Sequence, residues 1–195
     1  MTRTMLLWLF VTMHLWSAPL TQGERDRAMS ELHASRKMLV DAVSGLSEKQ
    51  LNWKSGADRW TIAEIVEHLA ITEDFLFGLY KQLAGGASVA GAKAELSDEE
   101  FLKAVRGRDQ KISAPEAARP KKSFANTAKA LEVFGERRAN TIAYVETNQD
   151  QDLRLKILAS MKVDGYQMFL LIAGHTQRHV AQIAEVKATG GYPKK

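Results

Sequence analysis

Two histidines lie four residues apart in the stretch AGHTQRHVAQI, which spans Ala173 to Ile183. On an α-helix this spacing gives about 40° of rotation and about 6 Å of rise, so both imidazoles leave the same face. Helical histidine pairs of this kind bind zinc-like ions, at nitrogen–metal distances of roughly 2.0–2.1 Å. The same face carries apolar side chains and is expected to point into the protein: Met168, Leu171, Ile172 and Val186. His175 and His179 therefore indicate either a metal site or two hydrogen-bonded core histidines.

A third candidate ligand is His68, in the middle of the segment Ala63-Glu-Ile-Val-Glu-His-Leu-Ala70. Its neighbours Ile65, Leu69 and Thr72 predict a face that is at least partly buried. A single core histidine is more often hydrogen-bonded than metal-bound, so the residues alone leave both readings open. The three residues between the paired histidines include no glutamate. This excludes the HExxH metalloprotease motif, whose glutamate is the general base.

Four long helices are predicted to position these histidines, because apolar residues recur at helical spacing and strand-like alternation is absent. The helices are expected over about 21–46, 61–83, 126–148 and 164–188. A short extra helix, about 97–105, is expected within the irregular connection 85–125 between the second and third long helices. Three capping boxes mark helix starts: Thr21-Gln-Gly-Glu24, Thr61-Ile-Ala-Glu64 and Ser97-Asp-Glu-Glu100. The fold class is therefore all-α, a four-helix bundle whose long connection either lines a binding mouth or covers one end.

The first nineteen residues have the layout of a secretory signal peptide. Arg3 is followed by an apolar block from Met5 to Trp16 and then by small and polar residues. The block is too short for a comfortable transmembrane helix. We expect export to the periplasm or the medium, with an uncleaved membrane anchor or a cytoplasmic protein as alternatives. The bundle domain is assigned to 20–189 and a C-terminal tail to 190–195.

Composition narrows the classes of function. The 195-residue chain carries 27 basic and 23 acidic residues, interspersed, for a net charge of +4. Its densest basic run, Arg119-Pro-Lys-Lys122, is short and interrupted by proline. This pattern favours a solvated loop over a nucleic-acid surface. Cysteine is absent, which excludes thiolate ligands and a cysteine nucleophile.

Two fragments together carry a resemblance to a known family. They are Trp60-Thr-Ile-Ala-Glu-Ile-Val-Glu-His-Leu69 and His175-Thr-Gln-Arg-His-Val-Ala-Gln-Ile183. They resemble the signature stretches of the DinB-like, or YfiT-like, metalloenzyme superfamily. The order of segments also fits from about Leu20 to Ala188: a first helix, a Trp-containing connector, a one-histidine helix, an insertion and a helix with the histidine pair.

The resemblance implies a four-helix bundle with up-down-down-up topology, often dimeric, so a homodimer is expected. It also implies that His68, His175 and His179 hold a divalent metal ion, with open positions for water or a small-molecule ligand. Zinc and nickel are the expected metals, and manganese and iron are the alternatives. Relatives in this family include thiol-dependent transferases and isomerases.

Glu64 is a candidate catalytic residue, because it lies one turn before His68 on the same face. It could accept a hydrogen bond from an imidazole or act as a base on metal-bound water. The alternative is that Glu64 only completes the capping box of Thr61.

Four further polar residues are candidates for the surroundings of the site. Gln182 lies three residues after His179 and could orient it, or could form an ordinary interhelical hydrogen bond. Arg178 points about 100° away from the histidine face. This favours a surface or interhelical ion pair, and the alternative is that Arg178 shapes the site mouth. Thr72 and Tyr166 are further candidates for its polar lining.

Two classes of function remain at this point. The first is a metal-dependent hydrolase or transferase, since an open three-histidine site supplies a Lewis acid and lowers the pKa of bound water to about 7. The second is a non-catalytic, stress-related module that binds a metal or another ligand. A fourth protein ligand, such as Glu64, would favour the module, and an open fourth position would favour the enzyme.

Overall fold

The computed structural model describes residues 19–110 and 112–194 of the chain. Four long α-helices form its body: α1 (Gln22–Val43), α3 (Ile62–Ala84), α5 (Thr127–Thr147) and α6 (Gly165–Lys187). Two shorter ones, α2 (Glu48–Leu51) and α4 (Asp98–Arg106), lie in the connections. The bundle predicted from the sequence is confirmed, whereas the apolar block assigned to a signal peptide lies outside the described residues.

Side-chain caps start α1, α3 and α4 close to where the sequence placed them. Thr21, Thr61 and Ser97 each accept a hydrogen bond from the third helical residue, and a glutamate there bonds back to the cap. A similar box at Ser47 starts α2, in a connection for which no helix was predicted. Helix α5 starts at an asparagine cap, Asn126, and α6 starts at an aspartate cap, Asp164, both without the reciprocal bond. These caps satisfy backbone N–H groups that a helix start otherwise leaves unpaired.

Helices α3 and α5 are neighbours and run parallel. The Arg137 guanidinium donates to the Ala70 carbonyl. About two to three turns further along both helices, the Tyr80 and Tyr144 rings meet edge to face, 5.6 Å apart. Two sequential helices can be parallel only if a long connection returns the chain to the starting end. The segment 85–126 provides this connection, which explains why it is long.

Helices α1 and α6 form the second parallel pair. Gln177 donates to Glu31 at 2.9 Å, and Lys187 donates to the carbonyl of Ala42 further along both helices. Because α6 runs antiparallel to α3, with the Tyr80 ring 4.4 Å from that of Phe169, the chain order is up-down-down-up. The topology implied by the family resemblance is confirmed.

A buried polar layer divides the apolar core into two clusters, with one cluster on each side of it along every long helix. Arg138 is fully buried at its centre and binds Glu73 through two hydrogen bonds, of 2.7 and 2.8 Å. The same guanidinium donates to Ser35 and Thr176, so that all four long helices contribute to this layer. A buried charge needs this degree of compensation to be tolerated in a core.

Two connections pack against α6 or lead into it. Helix α4 lies against α6, where Gly174 allows the approach: a Cβ there would be 2.9 Å from side-chain atoms of Leu102 and Val105. Two short strands, Ile157–Leu158 and Val163–Asp164, pair antiparallel before α6. Strands of two residues are too short to produce an alternating pattern, so the sequence did not predict them. None of the helices in residues 19–110 and 112–194 combines the length and the hydropathy that a membrane span requires.

Candidate metal centre

The three histidines converge between α3 and α6. His68 projects from α3, and His175 and His179 project from successive turns of α6. The Nε2 atom of His175 lies 3.3 Å from Nε2 of His68 and 3.2 Å from Nε2 of His179. All three ligand nitrogens lie within 4.8 Å of one another. The sequence therefore identified three residues that the fold brings to one point.

The spacing of these nitrogens fits a metal better than it fits direct hydrogen bonding. Metal–nitrogen bonds of about 2.0–2.1 Å at tetrahedral angles place ligand nitrogens about 3.3 Å apart. The two Nε2–Nε2 distances of 3.2 and 3.3 Å match this value. Among the described residues no carboxylate joins the cluster. The arrangement can thus supply three nitrogen ligands and leave a further coordination position open.

Hydrogen bonds on the outer ring nitrogens orient two of the imidazoles. Nδ1 of His68 lies 2.6 Å from the carbonyl oxygen of Ala118, and Nδ1 of His179 lies 2.7 Å from Oε1 of Gln182. Since a carbonyl oxygen only accepts, each Nδ1 carries the proton and donates it. In the neutral ring Nε2 is then unprotonated, so both lone pairs face the centre of the cluster. Outer partners of this kind orient metal-binding histidines.

Burial keeps the imidazoles neutral. Desolvation is the main cause that lowers the pKa of all three rings, to about 3 for His179 and well below its ordinary value for His175. Like-charge repulsion within the cluster adds to the effect for His175 and His179. For His68 the bond to Ala118 opposes part of the shift. Neutral imidazoles at pH 7 are the form that binds a metal ion.

Trp60 forms one wall of the cluster, a role that sequence analysis missed. Its ring centroid lies 4.8 Å from that of His68 and 6.2 Å from that of His179. In the sequence analysis Trp60 is part of the motif that carries the resemblance, with no contact to the histidines assigned to it. Its position directly before the Thr61 cap was an available signal, because a residue that precedes a helix start packs over its first turns.

The connection 85–126 closes the site from outside. Arg108 binds the α6 residue Glu185 through two hydrogen bonds of 2.9 Å. Arg178 donates to the carbonyl of Gln110, and Ala118 contacts His68 as described above. Of the two roles left open for this segment, it therefore lines the site. Arg178 thus holds this connection at the site through the Gln110 carbonyl.

The same connection is fixed to α3 by Glu67. Its Oε1 accepts hydrogen bonds of 2.8 Å from the backbone N–H groups of Lys121 and Ser123. These bonds hold the segment that supplies the Ala118 carbonyl. Glu67 directly precedes His68 in the sequence. The sequence pattern of α3 did not predict that the Glu67 side chain binds a distant loop.

Glu64 lies in the capping box. Its Oε2 accepts from the backbone N–H of Thr61 at 2.7 Å and from Lys54 at 3.2 Å. These bonds correspond to the alternative role of Glu64, which is to complete the capping box. Among the described residues, Glu64 does not belong to the cluster that could hold a metal ion. A part for Glu64 in proton transfer remains a prediction.

The two remaining candidates have other partners. The hydroxyl of Thr72 donates to the carbonyl oxygen of His68, 2.8 Å away, and so belongs to the backbone of α3. Tyr166 is fully buried, with the Arg154 guanidinium 4.1 Å above its ring. It precedes His175 by nine residues, about 13 Å along the helix. Tyr166 therefore lies at the other end of α6, away from the imidazoles.

Comparisons with known proteins identify related chains and a related fold. The uncharacterized protein YuaE of Bacillus subtilis (strain 168) is 25% identical over 162 residues, which cover 82% of this chain and 96% of that protein. The solved structure of YfiT from Bacillus subtilis, described as a probable metal-dependent hydrolase with an unusual four-helix bundle topology, superposes with a TM-score of 0.59. It is 18% identical, with 89% of this chain and 91% of that chain covered, and so establishes the fold. The model of the DinB superfamily matches residues 31–183, and the chain therefore belongs to the DinB superfamily.

Proposed function

We propose that this protein is a divalent-metal-dependent hydrolase that acts on a small molecule. The observation that carries the proposal is the convergence of three neutral imidazoles at metal-ligand spacing, with two Nε2–Nε2 distances of 3.2 and 3.3 Å. The description of YfiT as a probable metal-dependent hydrolase supports it. A bound divalent cation would supply Lewis acidity at this point and lower the pKa of water to about 7.

The protein's own residues prepare the site for this chemistry. Ala118 and Gln182 fix the ring orientations of His68 and His179, so that little rearrangement is needed on binding. Trp60 and the connection anchored by Arg108 and Arg178 restrict access of bulk water from the sides. A rigid, partly dry site strengthens electrostatic interactions with a reacting group.

The number of ligands favours an enzyme over a binding module. Glu64 is the side chain that sequence analysis offered as a fourth ligand, and it is held by Thr61 and Lys54. Three protein ligands with an open position are typical of catalytic zinc sites, whereas structural sites use four. Zinc is therefore the first metal to test, followed by nickel, manganese and iron.

The test combines metal analysis with a screen for turnover. We expect about one metal ion per chain in protein purified without a histidine tag, and loss of the metal in His175→Ala/His179→Ala. Hydrolysis of small esters, amides or phosphoesters should disappear with a chelator and return with the metal. Bound metal without turnover of any hydrolase or thiol-transfer substrate would favour the binding module instead. A wild type that stays metal-free after incubation with all four metals would contradict both metal-based functions.

A further inference from the structure

A cleft with a volume of about 150 Å³ opens beside the three histidines. Its walls come from the loop before α3, from the last turns of α6 and from the residues just after that helix: Ser55, Arg59, Trp60, Gln182, Glu185, Val186 and Thr189. Two of these residues also contact the histidines directly. Trp60 packs against His68 and His179, and Gln182 accepts the hydrogen bond of His179. A ligand in the cleft therefore lies one side chain away from the imidazoles.

The cleft offers hydrogen-bond donors for which the described part of the chain provides no acceptor. The Gln182 oxygen is occupied by His179, which leaves the amide –NH₂ group to donate elsewhere. Arg59 is exposed, and its guanidinium forms no hydrogen bond or ion pair with any residue in 19–110 or 112–194. A guanidinium and an amide donor at one cleft match the paired oxygens of a carboxylate or a phosphate.

The carboxylate that lines the cleft does not cancel this positive charge. Glu185 is bound by Arg108 through two hydrogen bonds of 2.9 Å, so its charge is already compensated. This hydrogen bonding is the main cause of the lowered pKa of Glu185, and the charges of Arg59 and Arg178 add to it. Three guanidinium groups thus act on one carboxylate.

The positive field reaches the histidines. Arg178 directly precedes His179 on α6, and Arg108 is bound to Glu185 on the same helix, six residues after His179. Asp109 offsets part of the charge of Arg178. Three neutral imidazoles would leave the charge of a divalent cation uncompensated, which adds to the attraction for an anion.

We propose that the cleft between Arg59 and Gln182 binds an anionic group of the substrate, a carboxylate or a phosphate. The substrate is then a small organic acid or phosphate whose scissile bond reaches the histidine cluster past Trp60. The cleavage of the bound molecule rests on the proposed hydrolase function. The binding of its anionic group depends only on residues of the cleft.

Calorimetric titration of the full chain, zinc-loaded and metal-free, tests the anion site. The probes are glutarate, inorganic phosphate and, as a neutral analogue, glutaramide. We expect one of the two anions to bind and glutaramide not to bind. Arg59→Gln should lower the affinity for the anion about tenfold or more, because a charge-assisted hydrogen bond is lost. The zinc content of this variant should equal that of the wild type. Whether glutarate or phosphate binds identifies the anionic group.

The matched control is Arg36→Gln, at the groove between α1 and α5 on the opposite side of the bundle. It should leave the anion affinity unchanged. Equal anion affinities of wild type and Arg59→Gln would place the anion on the metal alone and overturn the proposal. Absence of anion binding by both the zinc-loaded and the metal-free protein would also overturn it. Intact anion binding that depends on Arg59, combined with absence of turnover, would contradict the proposed hydrolase function alone.

Discussion

Nδ1 of His179 donates a hydrogen bond of 2.7 Å to the side-chain oxygen of Gln182, one turn later on the same helix. The bond fixes which nitrogen of His179 carries the proton, and it turns Nε2 toward His175 and His68. Without an acceptor at this position, the ring could carry its proton on Nε2 or rotate away. A side chain outside the cluster thus determines whether His179 is ready to bind a metal ion.

Replacing Gln182 by methionine should therefore weaken metal binding without removing a ligand. We expect zinc affinity to fall by about 10- to 100-fold, the usual effect of losing an outer partner of a ligating histidine. Competition with a chromophoric chelator measures the change.

The matched control for this change is Gln82→Met, at an exposed glutamine of α3. It should leave the zinc affinity within about twofold of that of the wild type, since an exposed side chain orients no ligand. Equal zinc affinities of wild type and Gln182→Met would show that the hydrogen bond does not orient His179.

Glu64→Gln separates the two roles considered for Glu64. Glutamine at this position can also close a capping box, so the midpoint of thermal unfolding should change little. We expect metal content and turnover to stay within about twofold of wild type, because the Glu64 carboxylate bonds to Thr61 and Lys54. A loss of about 100-fold in kcat with the metal retained would instead identify Glu64 as a general base.

The bundle and the histidine cluster were accessible from the sequence because they depend on local signals. Capping boxes and helical periodicity depend on residues a few positions apart, and they placed the starts of α1, α3 and α4 within a residue or two. His175 and His179 share a helix face for the same reason. His68 was tied to them by the resemblance of two motifs.

The surroundings of the site depend on contacts between distant segments, which one sequence does not reveal. Ala118 lies fifty residues from His68, and its carbonyl contributes through the backbone, so its residue type carries no signal. The pairing of Arg108 with Glu185 depends on how the long connection folds back over α6. The cleft beside Trp60 arises only once the loop before α3 packs against the end of α6.

Arg138 is expected to be critical for stability, because it is fully buried and binds Glu73 through two hydrogen bonds. Arg138→Leu leaves the Glu73 charge without its partner and should lower the free energy of unfolding by about 3–5 kcal/mol. Chemical denaturation measures this loss. The double variant Arg138→Leu/Glu73→Leu should recover part of it, since no unpaired charge then remains in the core.

The matched control for this pair is Lys37→Leu, which removes the exposed ion pair between Lys37 and Asp41 on α1. The change in its free energy of unfolding should stay below about 1 kcal/mol, the usual upper range for a surface pair. Comparable losses in Arg138→Leu and Lys37→Leu would show that the polar layer does not carry the stability assigned to it.

Asp150 should make the stability of the fold depend on acid pH. Partial burial raises its pKa, but hydrogen bonds from Tyr80, Tyr144 and Asn148 outweigh this and hold the pKa below its ordinary value of 3.8. Because the folded pKa is the lower one, the stabilisation is present above the ordinary value and is lost as pH falls through the folded pKa. The free energy of unfolding of wild type should therefore fall below about pH 4 more steeply than that of Asp150→Asn. Urea denaturation at pH 7 and at pH 3 measures both slopes, and parallel slopes would show that Asp150 is not the carboxylate that links folding to pH.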